Sequence, residues 1–281
     1  MKVKVWGSRG SHAAPGPGTA CYGGDTSCVE LRTDAGDVVV LDAGTGIKGM
    51  GERLAPDVRR VDILLTHLHM DHIQGLGFFA PFHRPGLEVH IWGPGTAKSS
   101  LRTRLTRYLS PPLFPLLLRD LDCELHVHDL DAGPFELPGC TVACDRVCHP
   151  STTMGYRIEA DGVVVTYLPD HEPALARATF PGDPAWISGG ELARRADLLI
   201  HDAQYTAREY ACRVGWGHST LDDALAFARI AEVARFMPFH HDPSHDDVTL
   251  DCAFAALGDL PFELLPARDG LELSLSRQPV A

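Results

Sequence analysis

Nine residues, Leu64-Leu65-Thr66-His67-Leu68-His69-Met70-Asp71-His72, constrain this chain more than any other stretch. An apolar run ends in three imidazoles and a carboxylate. In extended backbone, residues two apart face the same way, so His67 and His69 can reach one cation. Asp71 and His72, where the chain turns into a helix, face a second position. Four such side chains on one loop would repel and leave unpaired polar atoms without a cation. Any fold this chain adopts must therefore deliver the end of a buried strand to a metal pocket.

Three later segments repeat the pattern of a strand ending in a donor. Val142 to Val147 leads toward His149, Val163 to Leu168 leads to Asp170, and Phe236 to Phe239 leads to His240. Counting donors assigns His67, His69 and His149 to one metal and Asp71, His72 and His240 to another, with Asp170 able to bridge; His241 is the alternative to His240. Two divalent ions fit this set, zinc first, with manganese or iron as the other candidates. Asp42, which closes a strand before Gly44 and Gly46, reads as an acceptor that orients a ligating imidazole, or as a cap of the next turn. His171 and His241 adjoin donors, and the period of two points them away.

The period-two pattern predicts strands over Lys2 to Trp6, Ser27 to Arg32, Val38 to Asp42, Val61 to Thr66, Leu87 to Trp92 and Thr141 to Val147. Others are predicted over Met154 to Glu159, Val163 to Leu168, Leu198 to Asp202 and Arg235 to Phe239, with one more starting near Cys123. Ala160-Asp161-Gly162 predicts a tight hairpin turn. Helical spacing appears at Asp71 to Phe78, Ala97 to Leu109, Gly190 to Arg195, Leu221 to Glu232 and Asp247 to Leu257. Strand groups with helices between them predict an α/β layered sandwich, two mixed sheets with helices outside. The 281 residues read as one domain over 1–281. Residues 95–120, with Lys98, Arg102, Arg104 and Arg107 before an apolar Pro-rich stretch, read as a lid or oligomer contact, or as a solvated helix with a packed loop.

With 25 basic and 37 acidic residues the net charge is -12, which argues against duplex DNA and long RNA as partners. Small anionic substrates stay open, since bound cations reverse the local field. No apolar run reaches transmembrane length, so no membrane partner is expected. The eight cysteines lack C-x-x-C spacing, and no apolar leader follows Met1. A reduced cytoplasmic setting is the expectation. Cys140, Cys144 and Cys148 read as small buried hydrophobes on a strand.

His67-x-His69-x-Asp71-His72 after Leu41-Asp42-Ala43-Gly44-Thr45-Gly46, followed in order by His149, Asp170 and His240, resembles the metallo-β-lactamase superfamily over nearly the whole chain. The resemblance implies an αββα sandwich, a dinuclear metal site along the sheet edge, and a metal-bridging hydroxide as nucleophile. Leu199-Ile200-His201-Asp202-Ala203-Gln204 and Gly217-His218-Ser219-Thr220 are similar to signatures of the RNase Z-like phosphodiesterase branch. Asp202 stands where that branch has a glutamate, and His218 matches the histidine that assists the leaving group. Gly7-Ser8-Arg9-Gly10-Ser11, Tyr22-Gly23-Gly24-Asp25-Thr26-Ser27 and His240-His241-Asp242-Pro243 resemble a subgroup related to cyclic-nucleotide phosphodiesterases. No insertion comparable to the tRNA-gripping arm is present, which argues against tRNA. The family also suggests a homodimer.

The expected activity is hydrolysis of small phosphodiesters, such as cyclic nucleotides or cyclic dinucleotides. Asp71 would bind metal and orient the nucleophile, His218 would protonate the departing alkoxide, and Asp202 would hold the His218 tautomer. Ser219 reads as an N-cap with Asp222 three residues on, placing His218 at the positive end of a helix. Arg9 reads as a surface-turn residue or a phosphate contact, and Trp216 as packing or a base-stacking surface. The alternatives are a carbonyl-directed hydrolase of the lactonase or thioesterase type, and a nucleotide-binding sensor without turnover. A redox centre is disfavoured by His69.

Overall fold

The protein is described by a computed structural model covering residues 1–173, 175 and 180–276. In chain order the strands are β1 (Lys2–Gly7), β2 (Cys28–Arg32), β3 (Val38–Leu41), β4 (Arg60–Leu64), β5 (Glu88–Pro94), β6 (Glu124–Leu130) and β7 (Gly133–Leu137). They continue as β8 (Cys140–Arg146), β9 (Met154–Ala160), β10 (Val163–Leu168), β11 (Leu198–Asp202), β12 (Arg235–Phe239), β13 (Glu263–Leu264) and β14 (Glu272–Ser274). Among the described residues these form two mixed sheets, ordered β14-β1-β2-β3-β4-β5-β6 and β13-β12-β11-β10-β9-β8-β7.

The alternation of side chains decides the layers. In β3, Val39 and Leu41 face the other sheet and join Val165, Tyr167, Ile200 and Phe239 in the inner core. Val38 and Val40 face outward with Val61, Ile63, Val89 and Ile91. Their cover comes from α1 (Ile47–Glu52), α2 (Met70–Ile73) and α3 (Leu101–Tyr108), through Ile47, Met50, Ile73, Leu101 and Leu105. On the second sheet, Leu199 and Phe236 pack outward against α4 (Gly190–Ala193) and α6 (Leu221–Ile230), which supply Leu192, Leu225 and Phe227. The short α5 (Ala207–Tyr210) and α7 (Asp247–Ala255) complete the helices. The result is the expected αββα sandwich. No helix among the described residues is long and apolar enough to cross a membrane.

Strands β3, β4 and β5 run parallel, as do β10, β11 and β12. The loops after β3, β4, β10, β11 and β12 therefore open along one edge, where open α/β sheets place their sites. The edge is tied across the sandwich where Met154 N donates to Thr66 O at 2.9 Å and the Tyr156 hydroxyl to Leu65 O at 2.6 Å. Asp161 and Gly162 turn the β9–β10 hairpin with φ of 54° and 72°, as their sequence requires.

Several expectations are corrected. The helix predicted over Asp71 to Phe78 stops at Ile73 and resumes as a 3-10 turn over Leu76–Phe78, because Gly75 N donates to Ala43 O instead of continuing the helix. The helix predicted from Ala97 starts at Leu101, where Ser100 caps it and a bridged turn links Thr96 to Ser99. Thr220, not Ser219, caps α6: its hydroxyl oxygen accepts from Asp223 N at 3.0 Å. Ser219 is buried, with its own amide directed to Asp202. Arg9 is neither a surface residue nor a substrate contact. It is fully buried, and its guanidinium donates to the carbonyls of Gly23, Asp242 and His245. Strands β7, β13 and β14 and helices α1 and α5 lie outside the sequence expectations.

Candidate metal centre

Each predicted donor leaves the end of a strand. His67 and His69 follow β4, with His69 N-capping α2, and Asp71 and His72 lie in the first turn of α2. His149 follows β8, Asp170 follows β10, and His240 follows β12 at a φ of 61°. A left-handed backbone at a histidine is a strained choice that the surrounding structure must hold. Gly10 makes room for it, since a Cβ there would lie 2.3 Å from His240 Nδ1.

All seven predicted donors come together. Asp170 sits between two groups: its Oδ2 lies 3.6 Å from His67 Nε2 and 3.7 Å from His149 Nε2, and its Oδ1 lies 2.9 Å from His72 Nε2 and 3.3 Å from His240 Nε2. His149 Nε2 is 3.2 Å from His69 Nδ1. Asp71 Oδ2 is 3.2 Å from His72 Nε2 and 3.1 Å from His240 Nε2. One set of donors is thus His67, His69, His149 and Asp170, and the other Asp71, His72 and His240.

Three of the rings have their outward nitrogen engaged. His72 Nδ1 meets Asp42 Oδ2 at 2.8 Å, His149 Nδ1 meets Gly217 O at 2.9 Å, and His240 Nδ1 meets Gln204 Oε1 at 3.1 Å. Acceptors behind these rings leave the inner nitrogens as lone-pair donors, the arrangement that metal-binding histidines use. Asp42 has the orienting position the sequence suggested, and it also accepts from Thr66 and from the Tyr167 hydroxyl. Inside the cluster, His67 Nε2, His72 Nε2 and Asp170 Oδ1 are buried and lack a well-aligned hydrogen bond. Three unsatisfied atoms at one point are costly unless a cation meets them, so the residues present fit a divalent metal.

The facing carboxylates divide the rings into two kinds. Burial, with neighbouring imidazoles, holds His67, His69 and His149 below the ordinary imidazole range. Burial also opposes charge on His72, but Asp170, Asp71 and Asp42 outweigh it and raise that ring well above the range. For Asp71 and Asp170 burial favours the neutral acid, yet the facing histidines hold both carboxyls well below the usual carboxylate range.

His218 stands beside the cluster, its Nδ1 2.7 Å from Asp202 Oδ2 and 3.9 Å from Asp170 Oδ2. Burial works against its charge, but Asp202 prevails and pushes it up to about 9. Asp202 also accepts from the amides of His171, Gln204 and Ser219, so the carboxylate is rigidly placed. A cavity of about 410 Å³ opens here, lined by Ser11, Leu68 and Met70 with His69, Asp71, Asp170 and His218. His171 and His241 point away, to His201 and to Ala267 O respectively.

Two contributors had no assigned role in the sequence reading. Ser11, at a φ of 60°, donates its amide to Asp71 Oδ2 at 2.8 Å. Gln204 receives His240 and donates to Ser11 Oγ at 3.1 Å. Both stand inside short motifs visible in the sequence, but only their contacts reveal a part in the site.

The β-lactamase superfamily domain model matches residues 37–241. An uncharacterized protein of Mycobacterium tuberculosis is 27% identical over 213 residues, 73% of this chain and 68% of that protein. Ribonuclease Z of Gemmatimonas aurantiaca is 25% identical over 288 residues, covering 87% of this chain and 88% of the relative. Among solved structures, the metallo-β-lactamase fold protein YhfI of Bacillus subtilis superposes with a TM-score of 0.69 at 17% identity, covering 97% of this chain and 98% of its own. With the family model spanning most of the chain and the two-sheet fold in place, the chain belongs to the metallo-β-lactamase superfamily, in its RNase Z-like branch.

Proposed function

We propose that the protein is a divalent-metal-dependent phosphodiesterase that cleaves small phosphodiesters, cyclic nucleotides or cyclic dinucleotides among them. His67, His69 and His149 would hold one ion and Asp71, His72 and His240 the other, with Asp170 between them; zinc suits this donor set. Bound there, such ions supply a nucleophile from water near neutral pH and neutralise the phosphoryl oxygens.

The observation that carries the reading is the Asp202–His218 pair, 2.7 Å apart at the edge of the cluster. An alkoxide departs poorly without a proton. Asp202 engages Nδ1 of His218, which leaves Nε2 to carry that proton to the leaving oxygen. Asp71, held by the Ser11 amide, has its second role in orienting the nucleophile. The likeness to ribonuclease Z supports a phosphodiester as the bond attacked. The cavity of about 410 Å³ and the net charge of -12 weigh toward a small substrate over tRNA or duplex DNA. A homodimer in contact through residues 95–120 belongs to the same proposal, and a monomeric mass in light scattering would remove that part.

The test is a panel of bis(p-nitrophenyl) phosphate, cyclic nucleotides, cyclic dinucleotides and pre-tRNA with defined zinc or manganese loading. Metal-dependent cleavage of the small diesters is expected, with His218→Ala lowering kcat about 100-fold for alkoxide leaving groups and less for nitrophenoxide. A fully metallated protein that leaves every phosphodiester intact, or prefers lactones, overturns the reading.

A further inference from the structure

Glu172 is buried, only 1% exposed, and reaches from the loop after β10 into a different loop. Its carboxylate accepts three hydrogen bonds there: Oε1 from the Tyr210 hydroxyl at 2.6 Å and from Gly215 N at 2.8 Å, and Oε2 from Gly217 N at 2.7 Å. All three donors belong to residues 210–217, the segment that leads into His218. At the other end of the residue, Glu172 N donates to Cys148 O at 2.9 Å, one position before His149.

The turn that Glu172 grips has internal bonds from Arg213 N to Tyr210 O at 2.8 Å and from Trp216 N to Arg213 O at 3.0 Å, but the amides of Gly215 and Gly217 go to Glu172. Gly215 and Gly217 both have left-handed backbones, with φ of 85° and 89°, a conformation glycine adopts at no steric cost and loses most entropy in keeping. Gly217 is also pressed against the centre: a Cβ on it would lie 2.2 Å from His149 Nδ1 and 2.3 Å from Pro150 Cδ. The Gly217 carbonyl is what receives His149 Nδ1. One carboxylate thus holds the amide of Gly217, whose own carbonyl, in the next peptide unit, fixes the His149 ring and leads directly into His218.

We infer that Glu172 is a positioning residue that sets His149 and His218 in register by clasping the Gly215-Trp216-Gly217 turn to the His149 and Asp170 loops. It touches neither substrate nor donor cluster. It acts through Gly217, whose placement determines both the outward partner of one ring and the approach of the other. Trp216, 59% exposed, is carried on the same turn and takes its position from the same clasp. The His218 half rests on the phosphodiesterase reading above; the His149 half does not.

The experiment compares wild type with Glu172→Gln, which keeps the size but replaces one acceptor oxygen by an amide that opposes a backbone N–H. Three readouts are taken: zinc affinity by competition with a chromogenic chelator, amide exchange over 210–217, and kcat for alkyl against nitrophenyl phosphodiesters. Zinc affinity is expected to fall about 10-fold or more, within the range seen when the group behind a metal ligand is removed. Exchange at Gly215 and Gly217 is expected to accelerate, and kcat to fall more for alkyl than for nitrophenyl leaving groups, in the direction of His218→Ala. Unchanged zinc affinity together with unchanged leaving-group sensitivity overturns the inference, even if the turn exchanges faster. Should Glu172→Gln fail to fold, Tyr210→Phe removes a single donor; a smaller shift in both quantities is expected, and none overturns the inference. If wild type cleaves no phosphodiester, the functional reading fails while the zinc measurement still decides the His149 half.

Discussion

Two H-x-H pairs follow the same spacing and meet different fates. His67 and His69 lie beyond the end of β4, with ring centroids 4.3 Å apart and planes at 77°. His126 and His128 lie inside β6, with centroids 6.4 Å apart and planes at 21°. Within a regular strand, side chains two apart stand parallel, so their nitrogens do not converge. Past the strand end the chain curls, and the rings cross. The inner pair gains Asp170 between facing rings, whereas the outer pair joins a stack in which His90 lies parallel to His128 at 2° and Trp92 covers His128 at 3.8 Å. Among the described residues, donors that meet in threes within 4.8 Å all lie at the metal centre. A histidine motif binds metal through the backbone that carries it and the carboxylates that face it, not through spacing alone.

The largest effect that separates the two clusters is expected from Asp170→Ala. Removing the carboxylate that faces both donor sets should abolish metal retention, read by elemental analysis, and lower hydrolysis at least about a thousand-fold, while His126→Ala retains both. Comparable metal loss in His126→Ala would break the contrast. Next, saturating zinc should raise Tm by about 5–10 °C relative to the chelated protein, as expected for a ligand present near 100 Kd. His126→Ala should keep that shift and His69→Ala should lose most of it in thermal denaturation. Third, Asp42→Asn keeps the shape behind His72 but weakens the acceptor, and zinc affinity or kcat should fall about 10- to 100-fold.

The smallest effect sharpens the outer cluster. Burial pushes His90 and His128 below the ordinary imidazole range; nearby Arg60 adds to this for His90 and His90 itself for His128, while Asp62 opposes it for both, with Glu88 opposing it for His90 and His126 also in contact. A lowered folded-state pKa means the folded protein holds fewer protons than the unfolded chain. The stability from these neutral rings is therefore complete above about pH 6.5, the unfolded value, and is lost progressively as pH falls from there through the lower folded-state value. In chelated protein, His90→Gln should flatten the fall of Tm between pH 7.5 and 5. An unchanged slope would show that the stack contributes nothing to acid sensitivity.

The legible parts of the molecule are those whose signal is local. β10, β11 and β12 match their predicted bounds because continuous apolar runs between turn residues leave little alternative. Cys140 and Cys144 are buried in β8 as predicted, whereas Cys148 lies beyond the strand end and is only half-buried. The donors were readable because each follows such a run. β13 and β14, of two and three residues, are too short to carry a period, and their pairing with β12 and β1 arises only when the chain ends return to the sheets. Arg9 looked exposed because its neighbours are turn residues, but it is buried, and its Nη1 donates to carbonyls more than 200 positions away.

By itself the sequence determined the two-sheet layering, the ends of β10, β11 and β12 and six of the candidate donors, with His240 or His241 as the seventh, since these depend on periodicity and residue chemistry within a few positions. Tertiary structure alone decided which oxygen of Asp170 faces which donors, that Asp202 meets His218, that Gln204 and Gly217 stand behind His240 and His149, and that Glu172 clasps the turn between them. Those are contacts between chain segments far apart in order, and a hydrogen bond's length and direction exist only once both partners have been packed into place.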